Sequence, residues 1–312
     1  MDHELPIYGA GMAGLLAANM LRRHNPMVYE AQDDLPDNHG ALLRFRSEAV
    51  SSATGQTFKK VRVEKEVASS RGSISDNNAY SFKVTGNVMS RSVLNLEPGE
   101  RFIAPDNFIA EMARNVPIRY GTPLAQGDVQ AWDQSLGRDE FLGAKISTIP
   151  MPVMMKLVGW EEVPNFSFLE IWSVRVRINF PETDVYQTIY FPHGEVGCYR
   201  ASITGNLLIM EYAHPPGANE VGAVLRQFGF SRAAQTGEPE INHQKYGKLV
   251  PVEERIRKRF IMYLTDRYNV YSVGRFATWR QILMDDVVKD LNLISKWIST
   301  PHCQYSRSLH WR

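Results

Sequence analysis

The sequence predicts an α/β fold in which a discontinuous parallel-sheet domain is interleaved with a strand-rich α+β domain. Three observations carry it. The stretch "IYGAGMAGLLAANML" at 7–21 sets a glycine-rich turn between a short apolar strand and a helix. "MVYE" at 27–30 supplies a second strand, so strand, turn, helix and strand follow in the order of a right-handed parallel unit. Between 168 and 213, "FLEIWSVRVRINF", "VYQTIYF" and "NLLIMEYA" alternate polar and apolar residues, the period of an antiparallel sheet.

The elements follow in order. Residues 5–8 form the first strand and 12–23 the helix after the turn, stopped by Pro26. From 51 to 99 Ser, Thr, Gly and charged residues mix with alternating stretches, Val61-Arg62-Val63 and Tyr80-Ser81-Phe82-Lys83-Val84, and these predict strands. "PDNFIAEMAR" at 105–114 predicts a helix capped by Asp106, and "VPIRYGT" at 116–122 a short strand. "AKISTIPMPVMMKL" at 144–157 reads as a strand followed by an apolar helix, with Met151, Met154 and Met155 filling core. A charged helix near 252–265, a strand at 269–274 and a helix from about 280 to 298 close the chain. Nucleotide-fold texture therefore occupies 1–50, 100–150 and 250–312, and a substrate domain occupies 51–99 and 151–249.

At 312 residues the chain can bury two cores. Its net charge of +1 argues against a global basic field for nucleic acid or an anionic membrane surface. The densest basic run, Arg255 to Arg259, reads as a solvated helix face behind Glu253 and Glu254. Cys198 and Cys303 lie too far apart in sequence for a redox pair, and two cysteines make neither a disulfide framework nor a cysteine-based zinc site. The apolar runs are too short for a membrane span, and the chain enters its first strand directly after Met1-Asp2-His3-Glu4. A cytoplasmic protein is expected.

Gly9-x-Gly11-x-x-Gly14 has a mechanical meaning. Gly9 permits the tight turn, Gly11 lets a pyrophosphate approach the backbone, and Gly14 lets the helix pack close to the strand. Glu30, at the end of the next strand, is placed to take hydrogen bonds from the hydroxyls of an adenosine ribose and to repel a 2′-phosphate. NADP is disfavoured; NAD and FAD both fit the turn alone.

A second signature stands near the C-terminus: "VYSVGRFATWRQILMDDVVKDL" at 270–291. Together with "ISTIP" at 146–150, it resembles the FAD-dependent amine oxidase, protoporphyrinogen oxidase and UDP-galactopyranose mutase group, including short phage-type members. The resemblance covers roughly the nucleotide-fold half of the chain. It implies FAD as cofactor, with Gly9, Gly11, Met12, Ala13, Gly14 and Glu30 on the ADP part. It further implies Arg44 near the pyrophosphate, and Gly274, Arg275 and Asp285 near the flavin-side phosphate and ribityl chain. Many members carry a Gly-Gly pair shortly after the acid, where this chain has His39-Gly40. No second GxGxxG and no CxxxxC occur, which speaks against a pyridine-nucleotide disulfide reductase.

The chemistry implied is oxidation of a C–N bond in an amine or amino-acid-like group. The alternatives are a redox-neutral sugar-nucleotide isomerase, to which "QTIYFPHGEVGCYRASITGN" at 187–206 bears some resemblance, and a nucleotide-binding scaffold without catalysis. The substrate is expected to be a small molecule or a modified nucleotide such as a glycine-adducted thymidine; nucleic acid has weak support and no membrane partner is expected. Candidate substrate-side residues are Tyr199 and Arg200, a phenol and guanidinium suited to a carboxylate or phosphate, and His193 as a proton shuttle. Tyr190, Trp172 and Trp279 are candidates for stacking.

Overall fold

A computed structural model describes residues 4–35, 43–68, 73–88, 91–94, 96–133, 143–179, 186–194, 196–217 and 220–299. His39, Gly40 and Cys303 lie outside the described residues. Two sheets organise the chain. The first is five-stranded and parallel: β1 (Leu5–Tyr8), β2 (Pro26–Tyr29), β6 (Ile118–Arg119), β7 (Lys145–Ser147) and β13 (Val270–Ser272). They stand in the order β13-β7-β1-β2-β6, so the chain leaves this sheet and returns to it twice. The second sheet has eight strands: β3 (Arg44–Phe45), β4 (Lys59–Val67), β5 (Gly99–Ile103), β8 (Phe168–Ile178), β9 (Tyr186–Tyr190), β10 (Arg200–Thr204), β11 (Leu207–Tyr212) and β12 (Gln235–Leu249). Their order is β12-β8-β11-β10-β9-β4-β5-β3.

Helices α1 (Met12–Met20), α2 (Ala49–Thr54), α4 (Phe108–Arg114) and α9 (Met284–Ser299) pack on the parallel sheet. Leu15, Leu16, Ala17 and Ala18 of α1 are fully buried against Ile7, Ile146, Leu291 and Ile294. Helices α5 (Gln126–Ala131), α6 (Met151–Leu157) and α8 (Glu254–Tyr268) build a second apolar cluster in which Met151, Met154 and Met155 do fill core. Helix α3 (Ile74–Thr85) lies beside the mixed sheet, and α7 (Glu220–Gln227) covers that sheet's apolar face through Val224 and Leu225.

The alternation at 80–84 does not make a strand. Those residues belong to α3, whose ends decide its conformation. Ser73 and Asp76 form a reciprocal capping box, and Gly86 closes the helix in the left-handed region at φ 72°. Five alternating residues are too few to outweigh two caps. Asp106 is not the cap of α4 either; Asn107 occupies that position. The interruptions also fall differently from the expected division, because 44–45 and 99–103 pair in the mixed sheet. Side-chain alternation explains the texture: Phe45 and Phe102 pack into the apolar core shared with the parallel sheet, while Arg44 and Arg101 point to the opposite face.

Among the described residues no helix is long and apolar enough to cross a membrane. The basic run on α8 is matched by carboxylates: Arg255 meets Glu253 and Glu162, Arg257 and Lys258 meet Glu254, and Arg259 meets Glu162.

Candidate cofactor turn and cationic sheet face

The glycine turn leads straight from β1 into α1. Gly9 sits at φ 104°, a conformation that favours glycine, and a Cβ there would fall 2.3 Å from Thr148 Oγ1. A Cβ on Gly14 would fall 1.9 Å from the Gly9 carbonyl oxygen, so the helix reaches the turn only because position 14 is bare. Gly11 differs: a Cβ there meets no protein atom within 4 Å. The space above Gly11 is open, at the N-cap of a helix with no side-chain cap and no acidic residue in its first turn. The first-turn N–H groups of Met12, Ala13 and Gly14 thus face a site that suits an anion.

Glu30 is buried and tied to this turn. Its Oε2 accepts from Ala10 N at 2.6 Å and its Oε1 from Gln32 N at 3.0 Å. A carboxylate offers about four acceptor directions, which leaves room for a pair of ribose hydroxyls. Gly274, just past β13, comes up against the same place. It lies at φ 91°, and a Cβ there would be 2.8 Å from Ala13 Cβ. Gly9, Gly11, Met12, Ala13, Gly14, Glu30 and Gly274 are therefore brought together.

The rest of the C-terminal signature works as a clasp on β12. Arg275 donates to Gly247 O at 2.9 Å, Trp279 to Val250 O at 2.9 Å, and Gln281 to Leu249 O. Trp279 is buried against Phe166 at 4.7 Å between ring centroids. Asp285 lies at the start of α9 and accepts from Ser47 N at 2.8 Å and Ser47 Oγ at 2.5 Å, tying α9 to the segment after β3.

Strand register assembles the second feature. Tyr190 pairs with Arg200 and Arg200 with Glu211, so all three side chains share one face; Thr188, Ser202, Ser173 and Arg175 lie on it too. Lys65 joins through Thr188, while Arg101 and Arg44 join through β4 and β5. On the opposite face Ala201, Ile203, Leu208 and Met210 are buried in the core under α7. One sheet thus presents an apolar side to its own helix and a polar, cation-rich side away from it.

Arg200 forms a bidentate pair with Glu211, donating from Nη2 to Oε1 at 2.6 Å and from Nε to Oε2. Both keep accessible side-chain surface, 35% and 21%, so the pair remains approachable. Burial opposes charge on both, but Glu211 holds Arg200 well above the usual arginine range, and Arg200, Lys248 and Arg44 hold Glu211 below the usual carboxylate range. The Lys248 ammonium stands 4.3 Å from the centroid of the Tyr199 ring, and Tyr199 is itself buried with its hydroxyl 3.5 Å from Glu211. Burial, then Arg91, Arg200 and Arg275, pull Lys248 down to about 7 in spite of Glu211. Arg44 is lowered to about 10, first by burial and then by Arg200.

Glu211 thus feels Arg200, Lys248 and Arg44, while Lys248 in turn feels Arg91, Arg200 and Arg275. Arg44 Nη1, Lys248 Nζ and Arg275 Nε are buried with no hydrogen-bond partner among the described residues, as are Ser173 Oγ and Arg175 Nε. Orphaned buried donors are costly and rare, and here they collect on one face of one sheet and beside it.

Among the substrate-side candidates, Tyr199 and Arg200 belong to this face. His193 is set apart, with half its side chain exposed and Nε2 2.6 Å from Asp76 Oδ1. Trp172 stacks on His243 at 4.6 Å. Sequence reasoning missed Glu211, Lys248 and Arg91. A signal for Glu211 existed: Thr204 pairs with Leu207 around Gly205-Asn206, and counting outward from that turn sets Arg200 opposite Glu211. Lys248 had none, because a register shift between Gln244 and Lys248 re-aims the strand.

No family model matches the sequence, and no curated protein matches it. Solved structures do match in fold. A reduced UDP-galactopyranose mutase superposes with a TM-score of 0.67 at 14% identity, over 99% of this chain and 97% of that one. MibH, a tryptophan 5-halogenase, gives 0.57 at 13% identity over 97% and 69%. A 2-methyl-3-hydroxypyridine-5-carboxylic acid oxygenase gives 0.53 at 12% over 99% and 85%. The two-sheet architecture described above is the fold that these proteins share with this chain.

Proposed function

We propose that this chain, folded as FAD-binding flavoproteins are, holds FAD at the Gly9–Gly14 turn and oxidises a C–N bond in a small anionic molecule of amine or amino-acid type. The residues at the turn fit the cofactor. The N–H groups of Met12, Ala13 and Gly14 would take the pyrophosphate over the open position at Gly11, and the free lone pairs of Glu30 would take the adenosine ribose. Gly274 brings the end of β13 against the first turn of α1 and so forms part of the same seat. Bound there, the flavin supplies a two-electron acceptor for hydride.

The chain's own side chains supply orientation and proton handling. Arg200, Arg275 and Arg44 would orient a substrate carboxylate, for which bidentate guanidinium contacts are well shaped. Lys248, held near 7, is largely neutral in mildly alkaline solution and would accept a proton at Nζ from the substrate ammonium, freeing the amine lone pair. Tyr199 flanks the Lys248 Nζ from one side. The observation that carries the reading is the set of unpartnered cationic atoms, Arg44 Nη1, Lys248 Nζ and Arg275 Nε, gathered together in a chain of net charge +1.

A redox-neutral isomerisation of a sugar nucleotide is the second reading. It is favoured because the cationic surplus exceeds what one carboxylate needs, and because the likeness to the mutase spans nearly both chains. One experiment separates the two. FAD-loaded protein is mixed with a panel of amines and amino acids without oxygen and the flavin absorbance is followed. Bleaching by an amino-acid-type compound is expected. Absence of bleaching by the whole panel, with turnover of a sugar nucleotide only after reduction by dithionite, would replace oxidation with isomerisation.

A further inference from the structure

The cationic face does not stop at Arg200. Register carries it across β9 to Lys65 on β4 and on to Arg101 on β5. These two side chains converge over Gly99: a Cβ on that glycine would lie 3.2 Å from Arg101 Nη1 and 3.7 Å from Lys65 Nζ. The two cationic nitrogens are therefore no more than about 7 Å apart, over a residue with no side chain to fill the space. Neither meets a carboxylate among the described residues. Lys65 Nζ donates to Glu97 O at 2.6 Å and Arg101 Nη1 to Glu100 O at 2.6 Å, both backbone contacts, and the Glu97 carboxylate acts on Lys65 only from beyond ion-pair distance. Arg44 links this pair to the inner group, since it feels both Arg101 and Arg200, and its buried Nη1 has no partner. Burial, then Arg101, Arg44 and Arg46, lower Lys65 in spite of Glu97, so like charges outweigh the nearby carboxylate.

We propose that Lys65, Arg101 and Arg44 form a second anion subsite that takes a phosphoryl group, so that the substrate carries two anionic groups, one on this subsite and one beside Arg200 and Lys248. Two cationic donors converge over Gly99 and Arg44 stands on the same sheet face beside Arg101, a charge surplus that suits a phosphate ester better than a carboxylate. The proposal rests on the reading of the sheet face as the seat of an anionic substrate, and it narrows that substrate to a phosphorylated compound.

Calorimetric titration of the FAD-loaded protein with fructose 1,6-bisphosphate and with fructose 6-phosphate tests it, with thermal melting as the check on folding. The wild type is expected to bind the bisphosphate at least tenfold more tightly. Lys65→Met combined with Arg101→Met should bring the two affinities within twofold. A retained tenfold preference in that double variant, or no preference in the wild type, overturns the second subsite. Lys248→Met reads the inner group by itself and should weaken both ligands. If it leaves both unchanged, the anionic-substrate reading fails and the second subsite falls with it; if it weakens both while the double variant changes nothing, only the second subsite is lost.

Discussion

At the N-terminal turn the groups that would meet a ligand are mostly backbone N–H donors, and a run of twenty-odd residues supplies them all. Across the mixed sheet they are side chains drawn from β3, β5, β4, β10, β11 and β12, separated by as many as two hundred residues. The turn depends on side chains that are missing, at Gly9, Gly11 and Gly14. The sheet face depends on charged side chains that are present and only partly paired. The first kind of site is fixed by local geometry and tolerates little change in its glycines. The second is fixed by strand register and tolerates substitution at some loss of affinity.

That difference can be broken at the turn first. Gly14→Val places side-chain atoms on the Gly9 carbonyl, where even a Cβ would sit 1.9 Å away. Destabilisation of more than about 3 kcal/mol is expected, with or without FAD, measured by urea unfolding. A smaller loss, about 2–3 kcal/mol, is expected from Glu211→Gln, which strands Arg200. The partial exposure of the pair keeps this below the full value for a buried one. The same variant should bind anions more tightly, because the face loses the carboxylate beside Arg200 and Lys248; weaker anion binding would contradict the electrostatic description.

The sheet face, unlike the turn, responds to pH through Lys248. Its folded value of about 7 lies below the ordinary 10.5, so between these limits the unfolded chain carries more protons than the folded one. The protein therefore loses stability as pH falls from about 10.5 to about 7, and the loss is complete below that. Lys248→Met removes the effect. At pH 6 it should be more stable than wild type by about 1–3 kcal/mol, an advantage that fades towards pH 10. A constant difference across that range would show that the ammonium is not held down by its neighbours. The smallest effect is expected at the clasp, where Gln281→Ala should reduce stability by about 1 kcal/mol through loss of one hydrogen bond to Leu249 O.

The same contrast explains what could be read from the sequence. The turn was legible because Gly9, Gly11, Gly14 and Glu30 keep fixed spacings set by one strand, one turn and one helix. Gly274 was named only through the family resemblance, on the flavin side; its approach to Ala13 at the turn could not be read from spacing. Arg275 was named, yet its bond to Gly247 O could not be foreseen, since β12 carried too weak an alternation to be recognised as a strand. Arg44 was assigned to the pyrophosphate from its place after the first acid; in the fold it shares a sheet face with Arg101 and feels Arg200 and Glu211. The stretch at 80–84 misled because alternation over five residues is compatible with a capped helix. Cationic residues far apart in sequence reveal a common site only when register is known, and a bulge near Lys248 hides that register.

The open space over Gly11 is, in the proposal, the seat of a dinucleotide. Gly11→Val tests it most directly, because the substitution meets no protein atom within 4 Å at its Cβ and the backbone there, φ −66° and ψ 173°, suits any residue. FAD titration followed by flavin fluorescence is expected to show uptake by the wild type and at least a hundredfold weaker binding by Gly11→Val, with the melting temperature of the two FAD-free proteins unchanged. Equal FAD binding by the two, or a wild type that takes up no FAD, would contradict the assignment.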